Sequence, residues 1–136
     1  LEASFDIQPT SWWILSAGVT FLEEDLKLDP DSTDFVGVDN PTLRNDPDYH
    51  WMLCSSFNLP RDVELDLRLF RVGALPNPAV PAYTELDVRL AWHITPHIEL
   101  SLVGRNLLHS EHPEFGDPEP RSEIERNVYG QVRWRF

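Results

Sequence analysis

Alternation of apolar and polar residues with a period of two recurs along this chain, and only a strand puts such a pattern on one face. The first run, 1–8, sets Leu1, Ala3, Phe5 and Ile7 against Glu2, Ser4, Asp6 and Gln8. The second, 13–21, aligns Trp13, Leu15, Ala17, Val19 and Phe21, and the third, 49–59, aligns Tyr49, Trp51, Leu53, Phe57 and Leu59. The fourth, 63–72, alternates Val63, Leu65, Leu67 and Leu69 with Glu64, Asp66 and Arg68. The fifth, 83–94, alternates Leu86, Val88, Leu90, Trp92 and Ile94 with Glu85, Asp87, Arg89 and His93. The sixth, 98–105, sets Ile98, Leu100 and Leu102 against Glu99, Ser101 and Arg105. The last, 124–136, places Val128, Gly130, Val132, Trp134 and Phe136 opposite Glu125, Asn127, Tyr129, Gln131, Arg133 and Arg135. These runs predict an all-β chain, an antiparallel up-and-down meander of about seven strands.

The connections alternate in length. Short turns fall at 9–12, 60–62 and 95–97, and long connections at 22–48, 73–82 and 106–123. In a meander every second connection lies at the same end of the sheet, so one end is all tight turns and the other all long loops. Transmembrane β-barrels have this asymmetry, with short periplasmic turns and long extracellular loops. Strand direction then sorts the aromatics. Trp12, Trp13, Phe57, Trp92, Trp134 and Phe136 fall near the tight-turn end, and Phe21, Tyr49, Trp51 and Tyr83 near the loop end. Two aromatic girdles flanking an aliphatic band are expected where a sheet crosses a bilayer. The chain therefore reads as a partial transmembrane β-barrel, with lipid-facing apolar side chains and a lumen-facing set that includes Arg68, Asp87, Arg89, Glu99 and Arg105. If the 95–97 turn pairs Ile94 with Ile98, Arg105 lies across from Asp87 and Glu99 across from His93; both pairs are complementary.

Composition narrows the alternatives. No apolar run approaches the roughly 18 residues a membrane helix needs. The net charge of −12 opposes nucleic-acid binding, which calls for an excess of Lys and Arg. Most of it is local: residues 22–48 carry nine acids against Lys27 and Arg44, and residues 106–123 carry five acids against Arg121. Both stretches are long connections, so the acidity belongs to the loop end. Cys54 is the only cysteine, which leaves no internal disulfide and no cysteine zinc cluster; it reads as a small buried or lipid-facing side chain. Leu1 opens the sequence with no initiator methionine and no leader, so a missing beginning is expected.

The stretch Tyr83-Thr84-Glu85-Leu86-Asp87-Val88-Arg89-Leu90, the run from Glu99 through Gly104-Arg105-Asn106-Leu107-Leu108, the segment His112-Pro113-Glu114-Phe115-Gly116 and the ending Val128-Tyr129-Gly130-Gln131-Val132-Arg133-Trp134-Arg135-Phe136 resemble the C-terminal strands of TonB-dependent receptors. The likeness is closest over 83–136; residues 1–82 fit by strand pattern. The resemblance implies that residues 1–136 are the C-terminal part of a 22-stranded receptor barrel, with the plug domain and earlier strands outside this sequence. It implies location in the bacterial outer membrane and active, TonB-energised uptake of scarce nutrients, most often ferric siderophores, sometimes cobalamin. The partners it implies are the TonB complex acting through the plug, a metal-chelate ligand, outer-membrane lipid and the barrel-assembly machinery. That machinery reads a terminal strand of alternating outward apolar residues ending in Phe, a role carried here by Val128, Gly130, Val132, Trp134 and Phe136. The alternative for Trp134 and Phe136 is that they only supply interfacial rings.

Other motifs carry less. Asp29-Pro30-Asp31-Ser32-Thr33-Asp34 resembles a calcium loop, but Asp34 stands where the turn glycine belongs and Asn40 where the bidentate Glu belongs; it reads as a solvated acidic loop. His109-Ser110-Glu111-His112 offers two imidazoles and a carboxylate at a spacing that is weak evidence for a metal. Glu64 and Asp66 fit a lumen wall better than acid/base catalysis. No catalytic residue, cofactor or metal is expected from these residues, and no enzyme. Two other classes stay open: an outer-membrane barrel of another kind, such as a porin or an enzyme, and a soluble all-β binding module.

Overall fold

A computed structural model of the chain describes residues 1–24, 31, 45–116 and 121–136. Among these residues there is no helix, hence none long and apolar enough to cross a membrane. Eleven strands are present: β1 (Glu2–Thr10), β2 (Trp13–Phe21), β3 (Tyr49–Leu59), β4 (Val63–Val72), β5 (Leu75–Pro76), β6 (Ala79–Val80), β7 (Tyr83–Thr95), β8 (Ile98–Arg105), β9 (Glu111–Pro113), β10 (Glu123–Glu125) and β11 (Asn127–Trp134). Seven of them form one antiparallel sheet in the order β1-β2-β3-β4-β7-β8-β11. That is the expected meander. The sheet does not close on itself, so β1 and β11 are its edges.

Turn chemistry fixes the tight-turn end. Arg61 and Asp62 both adopt left-handed backbone, φ 68° and 59°, and the Asp62 carbonyl accepts from the His93 N–H at 2.9 Å. Thr95 Oγ1 accepts from the N–H groups of His97 and Ile98 at 3.2 and 3.0 Å, a hydroxyl-closed turn. Two local expectations are corrected. β1 continues through Pro9 to Thr10, with a register irregularity between Ile7 and Thr10; proline has no N–H to give, and an edge strand with a bulge tolerates it. Across the 95–97 turn Thr95, not Ile94, pairs with Ile98, while His93 pairs with Glu99 as expected. Ile94 is the extra residue of a bulge.

Two of the long connections contain short strands of their own. Within 73–82, β5 pairs with β6, and within 106–126, β9 pairs with β10. The two ribbons are tied at the loop end, where the Arg121 guanidinium donates to the Ala79 carbonyl at 3.1 Å. The terminal run is interrupted at Arg126: residues 123–125 belong to the β9–β10 ribbon, and β11 proper begins at Asn127.

Burial is inverted relative to a domain with an apolar core. Among the described residues only Val80, Ala91 and Val103 are buried apolar side chains, whereas twenty-one large hydrophobic residues are exposed. Strand β8 shows the pattern residue by residue. Ile98, Leu100 and Leu102 are exposed, while Glu99 and Ser101 between them are buried. The packed side of this sheet is its polar side.

Candidate functional site

The outward face carries the aromatics. Trp13 stacks on Phe57 with centroids 5.9 Å apart and planes 12° apart, and Trp12 stacks on the same ring at 6.2 Å. The Trp13 indole N–H donates to Ser55 Oγ at 2.7 Å. Trp92 is exposed, and Trp134 meets Phe136 edge to face at 6.5 Å. These residues cluster at the tight-turn end of the apolar face, where one aromatic girdle is expected. At the loop end Phe21 pairs with Tyr49, and Trp51 pairs with Val19 and Arg71. Arg71 donates to the Tyr49 hydroxyl at 3.1 Å and to Thr84 Oγ1 at 2.8 Å, the arrangement of an amphipathic cation beside aromatic rings. Tyr83 departs from the expected loop-end belt. It lies against Phe70 and stacks on His112 at 4.4 Å, so it belongs to the polar side, and the loop-end aromatics of the apolar face all lie on β2 and β3.

The polar face divides into two clusters. Toward the tight turns, Arg89 binds three carboxylates from two neighbouring strands: Glu64 at 3.1 Å, Asp66 at 2.8 Å and Glu99 at 2.6 Å. Arg133 on β11 reaches the other Glu99 oxygen at 3.2 Å, and His93 contacts Glu64 at 2.9 Å. The network thus crosses β4, β7, β8 and β11. Arg89 and Glu99 were expected on this face; Glu99 faces His93 in register, yet its close partners are the two arginines. Arg68 lies over the Phe70 ring at 4.9 Å and Arg105 over the Tyr129 ring at 5.8 Å. Asp87, expected to face Arg105, accepts from the Asn106 N–H at 3.1 Å. Cys54 shares a register row with Ser16 and Arg68, which puts it on the polar face and not on the apolar face expected to meet lipid.

At the loop end the Gly-Arg-Asn-Leu-Leu element makes a corner. Asn106 takes the left-handed conformation, φ 55°, and asparagine is among the few residues that do so readily. The chain then doubles back: the Leu107 N–H donates to the Leu86 carbonyl at 3.0 Å. Leu107 folds over Gly104, where a Cβ would meet Leu107 Cδ2 at 2.9 Å. The next N–H, of Leu108, points at Glu85 Oε2 at 3.2 Å. Glu85 itself is completely buried. Its Oε1 lies 2.5 Å from His109 Nδ1 and 3.2 Å from His112 Nδ1. The other His112 nitrogen, Nε2, contacts Glu114 Oε1 at 3.2 Å. The ribbon holds both imidazoles in place, since Arg126 donates its backbone N–H to the Ser110 carbonyl and its side chain to the His109 carbonyl.

Of the expected loop motif His109-Ser110-Glu111-His112, both histidines converge, but the carboxylate that joins them is Glu85. Nothing in the local spacing points to it, because it comes from β7, 24 residues before His109. The acidic run 29–34 lies outside the described residues except for Asp31. No protein-family model matches this chain, and no curated protein matches it either.

Proposed function

We propose that this chain is a sector of a β-barrel wall in the bacterial outer membrane, the closing strands of a TonB-dependent receptor that imports scarce nutrients, ferric siderophores foremost. The observation that carries the membrane part is the inverted burial. An exposed row of Ile98, Leu100 and Leu102 is costly in water, at roughly 25 cal/mol per Å² of apolar surface, and favourable against lipid. The polar side, with Arg89 and Arg133 paired to carboxylates, suits a wall that meets water or a plug. The open edges of β1 and β11 call for further strands, because unpaired edge groups cannot face hydrocarbon. The receptor assignment rests on the Gly-Arg-Asn-Leu-Leu corner and the terminal Tyr-Gly-Gln-Val-Arg-Trp-Arg-Phe run, together with acidic long connections at the loop end, which would form part of an extracellular vestibule.

The terminal residues supply the assembly role in this reading. Val128, Val132 and Trp134 lie on the apolar face of edge strand β11, in register with Gly104, Leu100 and Ile98, and Phe136 follows the strand, exposed; here the assembly machinery would add its own strand. Two experiments test the proposal. Cell fractionation should place the full-length protein in the outer membrane, and deletion of Phe136 should lower its surface level; a soluble protein, or unchanged surface levels after the deletion, contradicts the reading. Growth on ferric chelates that depends on both this gene and TonB supports the receptor assignment, and TonB-independent uptake points to a porin.

A further inference from the structure

We propose that Glu85, His109 and His112 form a binding site for a divalent first-row transition-metal ion, with Glu114 orienting His112. The site stands on side-chain geometry alone and does not depend on what the barrel transports. One oxygen and two nitrogens lie within 4.8 Å of one another, supplied by a fully buried carboxylate, a buried imidazole and a half-exposed imidazole. Two imidazoles and one carboxylate suit zinc, iron or nickel, whereas calcium and magnesium prefer all-oxygen shells.

The decisive feature is His112 Nδ1. It is buried and has no hydrogen-bond partner, although Glu85 Oε1 is only 3.2 Å away. A neutral imidazole has one N–H to share between two carboxylates, and with that proton on Nε2, 3.2 Å from Glu114 Oε1, the Glu114 contact is a hydrogen bond. Nδ1 is then left with a lone pair facing a carboxylate oxygen, an arrangement of two acceptors that is repulsive unless a cation sits between them. Carboxylate to imidazole to metal is the usual order of such sites, the outer carboxylate fixing the tautomer. The Tyr83 ring, stacked on His112 at 4.4 Å, fixes the plane of the imidazole as well.

Two of the three ligand separations involve Glu85, and the third, between the imidazole nitrogens, is within 4.8 Å; a shift of His109 adjusts both of its distances. Ligand atoms around tetrahedral zinc are about 3.4 Å apart, as bond lengths near 2.1 Å require. The Glu85–His112 separation already has this value within a few tenths of an ångström. The Glu85–His109 contact, 2.5 Å, is a hydrogen bond that would open by about 1 Å. His109 can make that movement because its side chain is half exposed. Three protein ligands would leave one position of a four-coordinate ion for water or another ligand.

The test is titration of the purified full-length protein in detergent with Zn2+ by calorimetry and with Co2+ by visible absorption. Wild-type protein should bind one ion at this site and give the intense band of four-coordinate Co2+. His109→Ala and His112→Ala should each lose the Co2+ band, and Glu114→Gln should weaken Zn2+ binding by about 10- to 100-fold, as outer-shell changes do. His97→Ala, at the opposite end of the sheet, should bind as wild type does. His109 is the variant least prone to misfold, so its result decides if His112→Ala fails to fold. Absence of stoichiometric Zn2+ binding by wild type, or binding unchanged in His109→Ala, overturns the proposal.

Discussion

Two buried glutamates on the same polar face are neutralised in different ways. Glu99, 5 % exposed, is gripped by Arg89 and Arg133, whose charge is permanent. Glu85, 0 % exposed, has two imidazoles and one backbone N–H within reach, none of which carries a fixed charge. A buried carboxylate needs a counter-charge. The first site holds its own and acts as a brace across four strands; at the second the proposed metal ion would supply it. The brace lies toward the tight turns and the conditional site where the loop ribbons meet the sheet, so a fixed end and an addressable end share one wall.

Chemical unfolding of the protein in micelles or vesicles gives ways to break this contrast. Arg89→Ala strips Glu99 of its nearest cation and leaves Glu64 and Asp66 unpaired from it, and should cost about 3 kcal/mol. Zinc at about one hundred times its dissociation constant should stabilise wild type by about 2.7 kcal/mol and leave the unfolding of Glu85→Gln unmoved. Glu99→Gln keeps the shape but gives up two charge-assisted contacts, and should cost about 2 kcal/mol. Gly104→Ala should cost about 1 kcal/mol, since the new methyl displaces only the flexible end of Leu107, and Leu107→Ala in the same chain should recover part of it. The smallest effect is expected of Glu85→Gln without metal, below about 1 kcal/mol, because it removes a buried charge that has no permanent partner. A large loss there would mean that Glu85 is braced as Glu99 is.

The seven strands were legible because a period of two cannot be hidden: one face of each strand is apolar and its neighbours are not. Strand β8 was readable to the residue, with both ends as expected. The misreadings came where the backbone departs from regularity. The bulge at Ile94 and the continuation of β1 past Pro9 add residues that no alternation count reveals. Tyr83 was placed with the outward aromatics although it shares the parity of Glu85, and its packing on Phe70 and His112 shows the parity to be the better guide. The Arg89 network was half visible, since Glu64, Asp66, Arg89 and Glu99 all lie on the polar face, but the role of Arg133 depended on the pairing of β11 with β8. The Glu85 cluster was the least legible. Its histidines stood out, and its carboxylate is supplied by a fold-back at Asn106 that local spacing does not encode.

The central claim is that the apolar face of this sheet meets lipid and the polar face does not, and adjacent positions on β11 test it. With Cys54 replaced by serine, a fluorescent label is attached through Val132→Cys in one protein and Gln131→Cys in another, each folded into vesicles containing brominated lipid. Strong quenching at position 132 with little at 131 is the predicted result; equal quenching at both positions, or quenching at 131 alone, contradicts it.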